Sequence, residues 1–422
     1  MNGKGNASSA RRRVVVTGLG AVTPVGNDVP TFWQSLLAGK SGIARLTAFD
    51  LTDLEVQIGA EVKGFEPTRR MDPKLVRRAD RFTQYALYAA DEAVRDARLE
   101  PEKEDPARVG VVVGSGMGGI QTWEAQFAQF LVKGPRRVSP LLIPMMIPDM
   151  ACGQIAITYH VRGPNYDTTS ACASGAHATG SAFRHILAGD ADVMITGGAE
   201  AAISRFTVAA FANMGALSKR NGEPEKASRP FDKDRDGFVI AEGCGIYILE
   251  ELEHARRRNA PIYCEVAGYG ATCDGYHITA PDPEGAGAIA AMRAALAEAG
   301  LKPEDVDYIN AHGTSTPLND ATEVKTIVEV FGQHSRKLAV NSTKSMIGHG
   351  LGAGGAMEFV ATAMSVKHGR VHPTVNHETP DDGVDLDFVK GSARDLAIRA
   401  ALSNSFGFGG HNCCLCVKEF KD

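Results

Sequence analysis

Apolar runs of strand length alternate with helical apolar faces along the chain. Val14-Val15-Val16 is an unbroken apolar triplet ending at Gly18 and Gly20, which predicts a short buried strand. Residues 80–98 set Phe82, Tyr85, Ala86, Ala89, Ala93 and Ala97 at helical spacing, the mark of an amphipathic helix. A break at Leu99-Glu100-Pro101-Glu102 follows, then a strand over Val109–Val113 and a glycine-rich loop over Gly114–Gly119. Residues 167–189 (DTTSACASGAHATGSAFRHILAG) predict a polar strand end that turns into a helix of small residues. Asp192–Thr196 reads as a further buried strand, and so does Gly245–Leu249.

Much the same order returns. Residues 286–299 form an apolar-faced helix with Gly300 in the C-cap position. Leu301-Lys302-Pro303-Glu304 breaks it, and a strand over Val306–Asn310 and a polar loop over His312–Pro317 come next. Lys337–Asn341 predicts a strand, Ser342–Gly350 a loop, and Gly352–Lys367 a second helix opening with small residues. The repeat predicts an internal duplication, with halves at 11–258 and 259–422 after a polar, disordered tail at 1–10. Strands alternating with helices predict parallel sheets buried between helices.

The duplication gives the chemistry a meeting place. A helix rich in Gly and Ala gives up propensity, which makes sense where other backbone approaches closely. Cys172 stands at its start, where unsatisfied N–H groups and the helix dipole favour thiolate. The competing reading is a small buried apolar side chain, the usual state of a free cysteine. If the halves are related, the loop before each small-residue helix lies near a pseudo-two-fold axis. The second loop (NSTKSMIGHGLGAGG) carries Lys344 and His349, and the preceding strand end (NAHGTSTPLND) carries His312. One cysteine, two histidines and a lysine converging there is a residue set for covalent thiol catalysis.

Composition narrows the class. The 422 residues are 44% hydrophobic and 23% charged, ordinary for a globular chain. A formal charge of −5 argues against nucleic acid as a main partner. The eight cysteines are scattered rather than framed as disulfides, which points to a reducing, cytoplasmic setting. Residues 1–10 have no apolar core of a signal peptide, and no run of about 18 apolar residues predicts a membrane span.

Three motifs are set aside. VGVVVGSGMGG matches GxGxxG through Gly114, Gly116 and Gly119, but the acid expected about 20 residues on is replaced by the basic stretch Lys133–Arg137. Asp232, Asp234, Asp236 and Gly237 resemble a calcium loop, but Gly243 holds the closing position and Glu242 is one short. A surface turn is the alternative. Cys413–Cys416 is formally CxxC, without a second pair and within an apparent strand, so packing is the better reading.

Taken together, the motifs resemble the β-ketoacyl-acyl-carrier-protein synthases of the thiolase superfamily, the elongating type of dissociated fatty acid synthesis. The matching stretches are RRVVVTGLGAVTPVG, TSACASGAH, GDADVMITGGAE, RPFDKDRDGFVIAEG, NAHGTSTPLND, STKSMIGHGLGAGG and SNSFGFGGHN. The resemblance implies a thiolase-like α/β fold, two duplicated halves packed as a five-layered αβαβα core. It implies that Cys172 takes the acyl group from a carrier protein. His312 and His349 then assist decarboxylation of malonyl on a second carrier protein. Lys344 supports the histidine loop, with Glu358 as its structural partner. The backbone N–H groups of Cys172 and Phe408 resemble an oxyanion hole, and Phe408 resembles a gate. Thr314 and Thr316 resemble pantetheine ligands, and Met117 matches an acyl-pocket position, where its flexible side chain leaves room for medium to long chains.

The implied partner is an acidic acyl carrier protein, loaded with acyl or malonyl. Lys74, Arg77 and Arg78 match its basic docking rim, with Arg69 and Arg70 close by; an ordinary solvated helix face is the alternative. The family is homodimeric and needs no cofactor or metal. Three departures stand out: Gly215 where relatives often have Arg, Ile347 where they often have Thr, and Gly350 where they often have Leu. Competing functions are a polyketide or aryl-polyene-type ketosynthase, a coenzyme-A-dependent thiolase using Cys413 or Cys414 as base, and a non-catalytic chain-length-factor partner. NAHGTSTPLND favours fatty acid synthesis, and the intact Cys172 argues against the last.

Overall fold

A computed structural model describes residues 11–381 and 383–421; the tail expected at 1–10 lies outside the described residues. Ten strands carry the fold. They are β1 (Val14–Val22), β2 (Val109–Gly114), β3 (Asn165–Thr168), β4 (Val193–Glu200), β5 (Gly243–Glu251), β6 (Cys264–Cys273), β7 (Tyr308–Asn310), β8 (Ala339–Asn341), β9 (Ala400–Gly407) and β10 (His411–Lys418). Their hydrogen-bonded order is β8-β7-β9-β10-β6-β1-β5-β4-β2-β3. From the central pair outward, β1 to β5 run first, fifth, fourth, second, third, and β6 to β10 repeat that order. The two sets join where Val14–Val16 of β1 pairs with Cys264–Val266 of β6.

The sheet is mixed, not parallel as expected. β2 runs parallel to β3 and β4, and β7 parallel to β8 and β9. The remaining pairs are antiparallel. Between β9 and β10 the cause is local, because a three-residue turn admits only an antiparallel return.

Helices form the other layers. α1 (Arg81–Asp96) starts at Asp80, whose carboxylate accepts from the Phe82 N–H. α2 spans Ile120–Lys133. α3 (Ser174–Ala188) and α4 (Gly354–His368) are the two small-residue helices, and they pack on each other between the two strand sets. Their glycines are set by that contact. A Cβ on Gly175 would lie 2.9 Å from the Gly352 carbonyl oxygen, and one on Gly355 3.1 Å from the Ala176 Cβ. α1 covers one outer face, and the helix Ala286–Ala299 covers the other, on β6 and β10. Outer helix, strands, central helices, strands, outer helix make five layers.

β1 runs on past its expected end. Gly18 and Gly20 lie inside the strand, because α1 crosses it there. A Cβ at Gly18 would stand 2.2 Å from the Ala93 carbonyl oxygen, and at Gly20 2.0 Å from that of Ala89.

Candidate active site

The turn from β3 into α3 is tight. Ala171 takes a left-handed φ of 51°, and Ala171–Ala173 makes one 3-10 turn before the helix begins. The Ser174 hydroxyl holds it, accepting from the Ser170 N–H at 2.9 Å and donating to the Ala171 carbonyl at 2.6 Å. Cys172 sits at the apex, 8% exposed. Burial pushes its thiol up to about 11, partly offset by the charge of Lys344 and a hydrogen bond from the Phe408 N–H. The helix start alone predicted a lowered thiol; desolvation outweighs it here.

The second half supplies imidazoles. His312 follows β7, and its N–H and that of Gly313 donate to the two oxygens of Glu323 at 2.8 and 2.7 Å. Lys344 opens a short helical turn, Lys344–Ile347, that leads through Gly348 to His349. Its ammonium donates to the His312 carbonyl at 2.7 Å, to His312 Nδ1 at 3.3 Å, and to Glu358. An Nδ1 that accepts from an ammonium leaves its ring proton on Nε2. His349 is fixed by its backbone, which donates to the Val239 carbonyl and accepts from the Ala241 N–H. The two imidazoles stand perpendicular with centroids 5.4 Å apart. Burial first and then the Lys344 charge hold both well below the ordinary histidine range, so both are neutral at neutral pH.

Cys172, His312 and His349 line one cavity of about 410 Å³. Thr314, Thr316, Met117 and Phe408 line it too. The Thr314 and Thr316 hydroxyls are 2.9 Å apart across Ser315, which takes a φ of 68°. Lys344 and Glu358 lie behind the histidines, 1% and 0% exposed, and do not line the cavity. Burial raises the Glu358 carboxyl to about 7 against the pull of Lys344.

Lys74, Arg77 and Arg78 are exposed on and just after the helical turn Pro73–Val76, away from the cavity wall. None pairs with a carboxylate among the described residues. Arg69 is spent on Glu66. Arg70 does not belong to a rim: its guanidinium lies over the Tyr88 ring and faces Asp91 and Glu92. Of the departures, Gly215 lines the cavity with open space around its Cα. Ile347 is fully buried in the core. At Gly350 a Cβ would meet Met357 Cε at 2.4 Å, the mobile end of a methionine side chain, so a larger residue there needs only that side chain to shift.

Two set-aside motifs have structural uses. The N–H groups of the Gly114–Gly119 loop are partly taken by Glu200, and a Cβ on Gly114 would strike the Ser174 backbone at 2.3 Å. The surface turn expected there is present, with Lys233, Asp234 and Asp236 exposed, but Asp232 at its base is fully buried. It accepts from Arg229 and from the N–H groups of Asp234, Glu378 and Thr379. Sequence reasoning missed Glu323 and Phe238. Phe238 packs edge-on against His349 with centroids 5.2 Å apart. Glu323 lies on the helix Pro317–Phe331, where an acid on the buried face was the available signal.

Comparison with known proteins bears on this geometry. The family profile of the beta-ketoacyl synthase N-terminal domain matches residues 11–255, and that of the C-terminal domain residues 263–378. The chain belongs to the β-ketoacyl synthase family. The synthase is 52% identical over 98% of its length to a 3-oxoacyl-[acyl-carrier-protein] synthase 2 of Synechocystis sp., all of which is covered. It is 51% identical over 98% of its length to one of Staphylococcus aureus, also covered completely. Among solved structures, the ishigamide ketosynthase/chain length factor superposes at a TM-score of 0.92 with 36% identity, covering 98% of this chain and all of that one. A type II polyketide ketosynthase with its acyl-carrier protein (AntDE:AntF) gives 0.91 and 34%, covering 97% of this chain and all of that one. The thiolase-like α/β fold expected from the motifs is thus the fold of the synthase.

Proposed function

We propose that the synthase elongates acyl chains by decarboxylative condensation on acyl carrier protein. The observation that carries this is one cavity in which a thiol, two backbone N–H groups and two neutral imidazoles meet. The Cys172 sulfur attacks the acyl thioester, the carbonyl oxygen's charge falls on the N–H groups of Cys172 and Phe408, and the carrier leaves as its thiol, taking the cysteine proton. Malonyl-carrier protein then enters. Its carboxylate leaves as CO2, and the enolate oxygen accepts from Nε2–H of His312 and His349. The enolate carbon attacks the acyl-cysteine, giving 3-oxoacyl-carrier protein and returning the thiol with one proton from solvent.

Lys344 supports this by fixing the His312 tautomer, and Glu358 balances its charge. Thr314 and Thr316 hold the pantetheine arm, Met117 bounds the acyl chain, and Phe408 gates the cavity. The nucleophile belongs to a half at 11–258 and the histidines to a half at 259–422. The exposed Lys74, Arg77 and Arg78 receive the acidic carrier protein. The enzyme works in the cytoplasm as a homodimer. Support for the dimer is the edge of β3, unpaired among the described residues, and the exposed apolar side chains of α2, among them Phe127, Phe130 and Leu131.

Over a thiolase, one observation favours the synthase: Cys172 is the lone cysteine lining the cavity among the described residues, and Cys413 and Cys414 are buried strand residues. Over a polyketide enzyme, the 51–52% identity to 3-oxoacyl-[acyl-carrier-protein] synthases 2 exceeds the 34% to the type II polyketide ketosynthase. Intact-mass analysis with acyl-carrier protein is the test. A thiol-labile acyl adduct is expected on the wild type and absent in Cys172→Ala; acylation by acyl-coenzyme A alone, with none from the carrier, overturns the assignment.

A further inference from the structure

Glu200 is the last residue of β4 and is fully buried. No cation pairs with it among the described residues. Four donors hold it instead. Oε1 accepts from the Ser115 hydroxyl at 3.1 Å and the Met117 N–H at 3.2 Å. Oε2 accepts from the Gly116 N–H at 2.8 Å and the Gly352 N–H at 3.1 Å. Two glycines make the seat: a Cβ at Gly116 would lie 2.8 Å from Oε2, and one at Gly352 2.7 Å. The carboxylate therefore joins two loops from different parts of the chain that meet at the cavity.

Both loops carry cavity wall. Gly116, Met117 and Leu351 all line it, and Met117 packs against the apolar cluster that holds Leu351. Leu351 is held at a φ of 49°, which an L-residue adopts at a cost. Its successor Gly352 donates to Glu200, so the bond steadies that turn. His349 is two residues upstream.

We propose that Glu200 is a positioning residue that sets the width of the acyl compartment beyond Cys172, by tying the Met117 wall to the Leu351 turn. The inference rests on the reading of this cavity as an acyl site. A glutamine in its place turns one accepting oxygen into a donor that faces N–H groups, and the two walls part. Long chains are then admitted relatively better than short ones, while a purely structural acid would lower both alike.

The test reads compartment width without needing turnover. Cys172 is alkylated with N-ethylmaleimide and with N-dodecylmaleimide, in a Cys273→Ser background because Cys273 is exposed. The Cys172 peptide is quantified by mass. The dodecyl-to-ethyl rate ratio is expected to rise roughly fivefold or more in Glu200→Gln, and in the same direction but less in Ser115→Ala, which removes one donor only. A ratio within twofold of the parent in both variants, or a fall, overturns the proposal. Ser115→Ala keeps the test open if the Gln variant does not fold. Acylation of the parent by acyl-carrier protein is run alongside: an adduct with an unchanged ratio sinks the role of Glu200 alone, and no adduct sinks the acyl reading while the ratio still judges Glu200.

Discussion

Replacing Lys344 by Met takes away the one charge shared by Glu358 and His312. Lys344 is 1% exposed and Glu358 0%, so the ion pair is wholly desolvated. Glu358 Oε2 already lacks a hydrogen bond. Removing one partner of such a pair costs about 3–5 kcal/mol, because the carboxyl left behind, already raised to about 7, must stay buried without its donor or take up a proton. For 422 residues at ~2.1 cal/mol/K each, the unfolding entropy is about 0.9 kcal/mol/K, so the melting temperature falls by about 3–6 °C. Adding Glu358→Gln removes the unpaired carboxyl and recovers part of that loss, a coupling of about 1–3 kcal/mol. Activity does not recover with it. His312 loses the donor that kept its proton on Nε2, and one missing oxyanion donor costs roughly 10²–10³ in rate. Differential scanning fluorimetry on the four members of the cycle and release of CO2 from malonyl-carrier protein read the two effects separately. Additive melting shifts, or CO2 release within threefold of wild type in Lys344→Met, would refute the reasoning.

Two further outcomes follow from groups far from the cavity. His254 is held above the ordinary histidine range, first by its hydrogen bond to Glu250 and also by Glu104. A raised folded value stabilises the fold fully below the unfolded value near 6.5 and is lost as pH rises through the folded value. His254→Gln should therefore lose more stability at pH 6 than at pH 9, by urea midpoint; an equal loss at both contradicts the ion-pair role. Gly18→Ala drives a Cβ into the Ala93 carbonyl. It should destabilise by about 1–3 kcal/mol or more, and an unchanged midpoint would mean α1 moves freely off β1.

The pattern of apolar positions carried most elements, because it records what is buried on which face. It misjudged β1, where Gly18 and Gly20 read as a strand end. A glycine inside a strand looks the same as one after it until the crossing helix is known. The parallel sheet was an overreach for a similar reason: strand direction depends on connections, and the turn Phe408–Gly410 forces an antiparallel return. At the site, residue types and spacing singled out Cys172, His312, His349 and Lys344, and the folded chain sets the first three on one cavity wall with Lys344 behind. The thiol's state was not legible, since a helix start is visible in sequence and desolvation is not. Glu323 escaped because a helical acid looks solvent-facing until its partners, the His312 and Gly313 N–H groups, are in place. Arg70, close to the rim in sequence, is used within the fold, a pairing that sequence does not display.

The strand order has a consequence for how the chain is made. β1 is synthesised first, yet both of its neighbours, β5 and β6, come after residue 242. Val14–Val22, all buried in the finished molecule, waits for more than half of the chain. At ordinary translation speeds of about 5–20 residues per second, that is roughly 10–50 s with an apolar strand unpaired. The wait ends only for the first strand set. β9 and β10 come last, and they bring the Phe408 N–H that reaches Cys172. A nascent chain thus holds Cys172 long before the Phe408 N–H that reaches it has been made.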